Sequence, residues 1–469
     1  MKLTETTAAH LTAHLTEAQR TSRVASTTAG VLRGGELVWS AAAGHIDGHP
    51  DGEKATTATQ YRIGSISKSF TAVLVMQLVA DGLVDLDDPV DRHLPELGPA
   101  LAPARVGELL NHGSGLYAET LGDWWERSAG RSWEELLPSI RRAHRPGARF
   151  HYSNVGFAVA GRLVTEVLGT GRSRGWWGVI QDRILTPLGM RATTYSPTAN
   201  AAPGLAIHPH ADLLHDEPAT DTGAMAPAGQ LWSTIGDLSV FARFLTYGDP
   251  AVLPDDLRTA MHIPSLICDV PGESWSRAYG LGLDVVNRGG TRYVGHGGSM
   301  PGFQSVLRID PSTGDGVILL VNDTAGIDLD AIGLLEASLA LEPKVAQPWQ
   351  VSSELDSGSH AHDLLPLTGT WYWGTRAHLL TVGPGDTLRL EPVHDGRGSR
   401  FEPTGPEEWR GLDDYFAGEI LAVRRAADGA PYLDLASFRL TRTPYDPEAD
   451  IPGGVGRGWT PSADARTRG

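Results

Sequence analysis

The sequence predicts an α/β domain, in which helices cover an antiparallel sheet, followed by a small all-β domain. Two observations support the first part. Helical patterns occur at both ends and in the middle of residues 1–343, and hairpin patterns occur early and late, which is typical of an antiparallel sheet packed against helices. A third observation supports the second part, since the composition changes near Pro343 and short strand candidates follow at hairpin spacing.

The elements of the first domain follow from hydrophobic periodicity. Residues 69–83 are apolar nearly all round, which predicts a helix buried at the centre of the domain. The other helical patterns cover 4–20, 155–168, 238–245 and 327–341. Strands are predicted on either side of the turn Arg33-Gly34-Gly35, at 28–32 and 37–43, and later at 279–285, 292–295, 304–309 and 317–321.

The second domain is predicted over 364–447, after a linker at 344–363 that is rich in Ser, Pro, His and Asp. Its strand candidates are short and separated by turns such as Gly383-Pro384-Gly385-Asp386, which predicts a small barrel or sandwich. They cover 370–373, 378–382, 387–391, 419–424 and 432–440. The residues from 448 to 469 are predicted to be a disordered tail because Gly, Pro, Arg and Ser dominate them.

Charge and length restrict the possible partners. The formal net charge is -17 and the pI is near 5.4, which argues against nucleic acid or an anionic membrane as a partner. No apolar run approaches the roughly 20 residues of a membrane span, and the polar N-terminus has no signal-peptide pattern. The single cysteine, Cys268, allows no internal disulfide. These features predict a cytoplasmic protein.

The first chemical motif is Ser65-Ile66-Ser67-Lys68, at the start of the predicted central helix. Serine and lysine three residues apart share one face of a helical turn, so the amine of Lys68 can take the proton of the Ser65 hydroxyl. Only four of the 39 basic residues are lysines. Arginine does not release its proton in proteins, whereas a buried lysine does, so Lys68 is predicted to serve as an amine.

Two further motifs complete a candidate acyl-transfer site. In Tyr152-Ser153-Asn154 the phenol of Tyr152 is a second candidate base, and the Asn154 amide is suited to hold Lys68 or a substrate carbonyl. In His296-Gly297-Gly298 the glycines allow another backbone to approach closely. The backbone N–H groups of Ser65 and Ser299 are predicted to form the oxyanion hole.

Each motif alone has little specificity, but their order and context are specific together. The chain resembles the serine β-lactamase and penicillin-binding-protein superfamily, in its class C-like and D-aminopeptidase/esterase branch. The resemblance extends over roughly 5–342 and includes three further segments, Leu109-Leu110-Asn111-His112-Gly113-Ser114-Gly115-Leu116, Pro146-Gly147 with Phe150-His151-Tyr152-Ser153-Asn154, and Ile184-Leu185-Thr186-Pro187-Leu188-Gly189-Met190.

The resemblance implies a β-lactamase/transpeptidase-like fold with an all-helical insertion at roughly 85–230, and an acyl-enzyme on Ser65. It implies no cofactor. Gly369-Thr370-Trp371 resembles the opening of a lipocalin, so the second domain is expected to be a lipocalin-like barrel. In relatives such a domain narrows substrate choice, although a purely stabilising role is the alternative.

One residue departs from the penicillin-binding pattern. Where that pattern has a lysine that binds a substrate carboxylate, this chain has His296, which is mostly neutral at pH 7. The departure disfavours a β-lactamase or a D-Ala-D-Ala carboxypeptidase. The histidines His112, His151, His208 and His210 lack the spacing of a metal site with a further ligand, so no metal is predicted.

The acyl acceptor is left open by the motifs. The chain most resembles the penicillin-binding-protein-type thioesterases, which release nonribosomal peptides from carrier-protein thioesters by head-to-tail cyclisation. The expected substrate is therefore a peptidyl thioester with a D-residue at its C-terminus, presented by a carrier protein of a peptide synthetase. A D-stereospecific aminopeptidase, amidase or esterase, a β-lactamase-like hydrolase and a non-catalytic peptide-binding relative are the alternatives. The oligomeric state is not predicted.

Overall fold

The structure, a computed structural model, describes residues 2–98, 103–268, 270–343, 361–426 and 429–444, apart from the side chains of 171–174. The chain forms two compact units, Met1–Lys344 and Val345–Gly469. Most of the predicted linker lies outside the described residues, and its last three residues belong to a short helix, Ala361–Leu364. The predicted tail, 448–469, also lies outside them.

The first unit is built on an eight-stranded antiparallel sheet in the order β2-β1-β12-β11-β10-β9-β8-β7. Its strands are β1 (Ser26–Arg33), β2 (Glu36–Gly44), β7 (Leu266–Ile267), β8 (Arg277–Tyr279), β9 (Asp284–Arg288), β10 (Thr291–Met300), β11 (Phe303–Ile309) and β12 (Gly316–Val321). Two smaller antiparallel pairs join β3 (Tyr61–Arg62) to β6 (Trp232–Ser233) and β4 (Gly204–Ile207) to β5 (Leu214–Glu217).

The helices of this unit are α1 (Glu5–Ser22), α2 (Ser67–Ala80), α3 (Val90–His93), α4 (Val106–Leu110), α5 (Trp133–Leu136), α6 (Asn154–Val167), α7 (Gly171–Ile180), α8 (Thr186–Leu188), α9 (Ala226–Gly229), α10 (Ile235–Tyr247), α11 (Asp255–Met261) and α12 (Ala331–Leu341). The predicted antiparallel sheet flanked by helices is confirmed. In the described residues of the insertion at 85–230, α3 to α9 are joined by irregular segments, and the β4–β5 hairpin is an addition to these helices.

Both faces of the sheet are covered, and β12 shows how its sequence achieves this. Its six residues are all buried. Val317, Leu319 and Val321 face the core formed with α1 and α12, whereas Ile318 and Leu320 face the core that contains α2, α6 and α10. A strand buried on both faces has a continuous apolar run instead of an alternating one.

One predicted strand of this sheet was wrong. The pattern at 279–285 forms the end of β8, a turn and the start of β9, and Tyr279 pairs with Asp284. Gly282 in that turn has a φ of +74°, and a Cβ there would lie 2.1 Å from the Cβ of Ala72 in α2. The apolar residues of the turn face the central helix, so their periodicity imitates a strand.

The second unit is an eight-stranded antiparallel barrel, which confirms the predicted lipocalin-like architecture. Its strands pair in sequence order, and it is closed by two backbone hydrogen bonds between Tyr372 and Thr441 of 2.7 and 2.9 Å. The strands are β13 (Gly369–Trp373), β14 (Arg376–Val382), β15 (Leu388–Pro392), β16 (Ser399–Gly405), β17 (Glu408–Gly411), β18 (Ile420–Arg425), β19 (Pro431–Leu435) and β20 (Phe438–Leu440).

The sequence missed β16 and β17, and it joined β19 and β20 into one strand. β16 and β17 carry Pro, Gly and several charged residues, which obscure the apolar alternation of a strand. Ala436, with a φ of +54°, marks the turn between β19 and β20 although no glycine signals it. Among the described residues of both units, no helix is long and apolar enough to cross a membrane.

Candidate active site

Ser65 lies in a 3-10 turn, Gly64–Ile66, that leads directly into α2. Ser65 is half-buried, whereas its neighbours on both sides are buried. The turn requires glycine before the serine, because Gly64 has a φ of +50° and a Cβ there would lie 2.7 Å from the backbone nitrogen of Ser299. Ser65 is thus accessible, beside the backbone of Ser299 and at the N-terminus of a buried helix, where developing negative charge is stabilised.

Lys68 occupies the first turn of α2 and is fully buried. Its Nζ donates hydrogen bonds to the Ser65 Oγ, at 2.8 Å, and to the backbone carbonyl of Ala228, at 2.7 Å. Burial lowers the pKa of Lys68 to about 7, although Glu119 and Glu126 act in the opposite direction. At neutral pH a large fraction of this amine is therefore uncharged and able to accept the proton of Ser65.

The phenol of Tyr152 lies beside the Ser65 hydroxyl, and the Nζ of Lys68 lies 5.1 Å from the centre of the Tyr152 ring. Burial raises the pKa of Tyr152, and the neighbouring Ser65 hydroxyl opposes the rise only in part. The phenol therefore keeps its proton at neutral pH, and Lys68 is the group better suited to begin deprotonation. Tyr152 is suited to relay a proton between Ser65, Lys68 and a leaving group.

His112 supports the loop that carries Tyr152. It is fully buried, and its Nδ1 accepts a hydrogen bond from the backbone N–H of Ser153 at 3.0 Å. Its ring packs against the ring of Tyr152 with a centroid distance of 4.1 Å. Burial and the charge of Lys68 hold the pKa of His112 well below its usual value, so a neutral imidazole positions the second motif.

Asn154 bonds to Glu119 and not to Lys68, which was one of its two expected partners, the other being a substrate carbonyl. Its Nδ2 donates to the Oε1 of Glu119 at 2.7 Å, and the Oε2 of Glu119 accepts from the Trp125 indole at 2.7 Å. The hydrogen bond that the sequence suggested between Asn154 and Lys68 is replaced, on the side of the lysine, by the carbonyl of Ala228. Glu119 thus belongs to the second motif as a partner that the sequence analysis missed.

The third motif lies on β10, where His296 is buried and neutral. Its Nε2 accepts a hydrogen bond from the phenol of Tyr279, and its Nδ1 donates to the carbonyl of Gly297. Burial and the charge of Lys68 lower the pKa of His296 to about 3. The residue that replaces the usual lysine therefore carries no charge at neutral pH.

Two arginines, Arg277 and Arg308, supply positive charge near this strand. Asp284, which is fully buried, pairs with Arg277 at 2.8 Å and with Arg308 at 2.7 Å. Burial opposes ionisation of Asp284, but Arg308 and Arg277 outweigh it and lower the pKa of the carboxyl. Two guanidinium groups thus share one carboxylate, and none of these three residues belongs to a motif that the sequence predicts.

The glycines of the third motif differ in what they do. A Cβ at Gly298 would lie 2.0 Å from the carbonyl oxygen of Ile63, so only glycine lets β10 approach the turn that carries Ser65. A Cβ at Gly297 would meet its nearest neighbour at 3.8 Å, which is an ordinary contact. Gly297 is therefore not required by backbone packing, whereas Gly298 is.

The structure thus brings the three motifs close to one another. The Nζ of Lys68 bonds to the Ser65 hydroxyl, and the ring of Tyr152 lies 5.1 Å from that Nζ and 6.2 Å from the ring of His296. The partners that the sequence missed, Glu119 and Tyr279, lie outside the motifs. Glu119 lies three residues after Leu116, where one of the segments that resemble the family ends. An acidic residue so close to that segment was the one feature of the sequence that could have predicted its place in the site. Within the described parts of the chain, no group of three His, Cys, Asp or Glu side chains is arranged to hold a metal, and His208 and His210 lie on the hairpin between β4 and β5.

The chemistry of this arrangement is acyl transfer. Lys68 is positioned to accept the proton as the Ser65 Oγ attacks a carbonyl; a tetrahedral intermediate then forms, and its collapse expels a leaving group that regains a proton. Fold and site together are those of a serine hydrolase of the acyl-enzyme type, with Ser65 in the position of the nucleophile. The first unit matches the family described as Beta-lactamase over residues 11–341, and the chain belongs to that family.

The second unit matches a domain of unknown function over residues 360–442. Among curated relatives, the chain is 27% identical to human "Putative beta-lactamase-like 1" over 85% of this chain and 80% of the relative. It is 29% identical to a D-aminopeptidase of Cereibacter sphaeroides over 68% of this chain and 61% of that enzyme.

Solved structures show the same fold. A D-stereospecific amidohydrolase from Streptomyces sp. is 26% identical with a TM-score of 0.58, and the match covers 71% of this chain and 98% of the other. The structure of SurE is 25% identical with a TM-score of 0.57, and that match covers 93% of this chain and 99% of SurE. The similarity to the amidohydrolase therefore leaves more than a quarter of this chain unmatched, whereas that to SurE extends over nearly all of it.

Proposed function

We propose that this protein is a thioesterase of the penicillin-binding-protein type, which releases a peptide with a D-configured C-terminal residue from a thioester and closes it into a ring. The observation that carries the proposal is the charge around Ser65. The amine of Lys68 is largely uncharged, His296 supplies no cation for a substrate carboxylate, and the carboxylates of Glu119 and Glu126 lie close enough to raise the pKa of Lys68. Such a site suits an amine better than a free carboxylate.

The first half of the proposed reaction loads the enzyme. The Oγ of Ser65 attacks the thioester carbonyl while its proton passes to Lys68, and the thiolate leaves with a proton relayed by Tyr152. The peptide is then joined to Ser65 as an ester. A thiol is a good leaving group, so this half demands less of the acid than an amide would.

The second half transfers the acyl group to an amine. The N-terminal amine of the same peptide attacks the ester carbonyl and gives its proton to the uncharged Lys68, and the Oγ of Ser65 leaves and is reprotonated. Holding both ends of the peptide in one site gives the amine a high effective molarity, up to about 10⁵–10⁸ M in well-oriented intramolecular cases. Water is a competitor in this half, and its exclusion decides the product.

The D-configuration is supported by the relatives. One curated relative is a D-aminopeptidase, and a similar solved structure is a D-stereospecific amidohydrolase. Similarity to SurE over 93% of this chain supports an enzyme that uses both units. The peptidyl thioester and the carrier protein that presents it remain part of the proposal.

A D-stereospecific aminopeptidase or amidase is the second candidate. The same carboxylates, Glu119 and Glu126, are suited to the ammonium group of a single amino-acid amide, and the similarity to the D-aminopeptidase favours it. In that reaction water is the acceptor and an amine is the leaving group. In the cyclase the amine is the acceptor that attacks the acyl-enzyme. In the aminopeptidase or amidase the amine is the leaving group when the acyl-enzyme forms.

The deciding experiment compares acceptors. A linear peptidyl thioester with a D-residue at its C-terminus is expected to give mainly the macrolactam, one water lighter than the free acid by mass spectrometry. The matching L-ended thioester is expected to react poorly, and blocking the N-terminal amine should divert the acyl-enzyme to hydrolysis. Ser65→Ala is the control that should abolish every product.

The second candidate is favoured over the cyclase if several D-ended thioesters give only free acid and short D-amino-acid amides are cleaved faster.

A further inference from the structure

The barrel of the second unit contains a cavity of about 370 Å³, and none of its lining residues belongs to the site around Ser65. Its inner wall consists of buried side chains of the barrel core, among them Leu390, Leu435 and Leu440. Its rim consists of exposed residues, among them Trp373 and Arg376. The cavity is therefore open to solvent at its rim and has an apolar floor that is formed by the core of the barrel.

The topology explains why the cavity opens at this end. In a barrel whose strands pair in sequence order, alternate connections lie at the same end. The turn between β13 and β14 and the loop between β15 and β16 contribute to the lining, as do Leu435 and Phe438 on either side of the turn between β19 and β20. A phenylalanine after β17, Phe416, packs edge-on against Phe438 and closes the side of the cavity.

The rim carries cations without acidic partners. Arg376 lies over the ring of Trp373 at 5.9 Å, and Arg397 lies over the ring of Tyr415 at 3.8 Å. In the described part of the chain no carboxylate forms an ion pair with either guanidinium group. Other arginines of the barrel do have acidic partners, as in the pairs Arg389–Glu391, Arg400–Asp413 and Arg424–Glu408.

The rim as a whole is positively charged. Among the described residues of the lining, Asp395 is the one acidic residue, and Thr375, His378 and His394 are the other polar residues besides the two arginines. Two guanidinium groups and one carboxylate leave a net positive charge at the mouth, in a chain whose formal net charge is -17. Stacked guanidinium groups are partly ordered before binding, which suits them to a planar carboxylate.

We propose that this cavity binds a small amphipathic monocarboxylate, with its apolar tail against the leucines and phenylalanines of the apolar floor and its carboxylate on Arg376 and Arg397. A volume of about 370 Å³ lies near the lower end of the range for small-molecule sites and suits a tail of about eight to ten carbons. Asp395 disfavours a dianion. The proposal does not depend on the reaction at Ser65.

The test measures binding of octanoate and decanoate to the full chain by isothermal titration calorimetry. Each added methylene is expected to tighten binding about fourfold until the cavity is full. Decanol, which has the same tail without the charge, is expected to bind at least about tenfold more weakly than decanoate. Equal affinity of decanol and decanoate, or no binding of either carboxylate, would overturn the proposal.

Variants locate the binding to this cavity. Arg376→Gln and Arg397→Gln should each weaken decanoate about tenfold, whereas Arg389→Gln, on a paired arginine outside the lining, should not. Leu435→Phe adds volume inside the barrel, and Leu379→Phe adds it at a side chain that is 42% exposed. Only the former should reduce binding, and its melting temperature is measured to show that the barrel is folded.

The arginine pair keeps the test decisive if Leu435→Phe does not fold. Binding that is unchanged in both Arg376→Gln and Arg397→Gln would place the carboxylate elsewhere and contradict the proposal.

Discussion

Lys68 has the property on which the reaction depends, an amine that is uncharged for much of the time at neutral pH. Its surroundings cause this, because the side chain is fully buried in the first turn of α2 and its hydrogen bonds go to Ser65 and to a backbone carbonyl. Tyr152 lies beside the same hydroxyl, but burial raises its pKa. Lys68 is therefore better placed to accept a proton, and Tyr152 to relay one.

The pH dependence of acylation should report Lys68. Because its pKa is lowered to about 7, the uncharged, reactive form is lost as the pH falls through 7 and gained as it rises. The rate at which a fluorophosphonate probe labels Ser65, measured by intact mass between pH 5 and pH 9, should therefore rise with pH around pH 7. A rate that first rises near pH 10 would mean that Lys68 is an ordinary charged lysine.

Replacement of the amine tests its role directly. Lys68→Arg keeps a positive charge but removes a base, so acylation should fall by about 10²–10⁴-fold. Circular dichroism is expected to be unchanged. Near-normal labelling of this variant would show that the side chain acts only through its charge.

Glu119 should tune the pKa of Lys68. Its negative charge raises that pKa. Glu119→Gln removes the charge but keeps an acceptor for Asn154, so the rise of the labelling rate with pH should occur at lower pH. The matched control is Glu17→Gln, on the exposed surface of α1. A profile that stays in place, or moves to higher pH, would show that Glu119 does not act on Lys68.

At the scale of elements, the site depends on the contact between strand β10 and the turn Gly64–Ile66. The hydroxyl of Ser305, on β11, donates to the carbonyl of Ile63 at 2.8 Å and holds the turn against the sheet. Gly298 removes the side chain that would separate them. The helix that carries Ser65 and the strand that carries His296 are thus fixed to each other through backbone contacts.

Two glycines of the third motif give a matched pair of variants. In Gly298→Ala the new Cβ would lie 2.0 Å from the carbonyl oxygen of Ile63, so β10 must move away and labelling of Ser65 should fall strongly. In Gly297→Ala the nearest contact is 3.8 Å, and labelling should stay near the wild-type rate. Equal rates in the two variants would show that the close approach of β10 does not matter for acylation.

At the scale of the whole molecule, the two units have separate cores. The barrel core is formed by Trp371, Phe401, Trp409 and their aliphatic neighbours, and it shares no residue with the cores of the first unit. The last helix of the first unit is anchored within that unit, since Glu342 accepts hydrogen bonds from the backbone and side chain of Thr4. Each unit is therefore expected to unfold as its own cooperative transition.

Ending the chain after Lys344 tests the role of the barrel. The shortened protein keeps Glu342 and should still be labelled at Ser65 by a small activated ester. Its activity on a long peptidyl substrate should fall much more than its activity on that ester, with kcat/KM for both substrates as the measurement. Equal losses on the two substrates would show that the barrel only stabilises the first unit.

The sequence by itself determined the fold class, the central helix and the three motifs, because these depend on local periodicity and on spacing within one helix or loop. Ser65 and Lys68 face each other whenever their segment is helical. Only the tertiary structure decided the partners of those motifs, since Glu119, Ala228 and Tyr279 reach the site from other elements. It also decided where 279–285 turns and how far burial lowers the pKa of Lys68, because both depend on atoms that are distant in sequence and packed together in space.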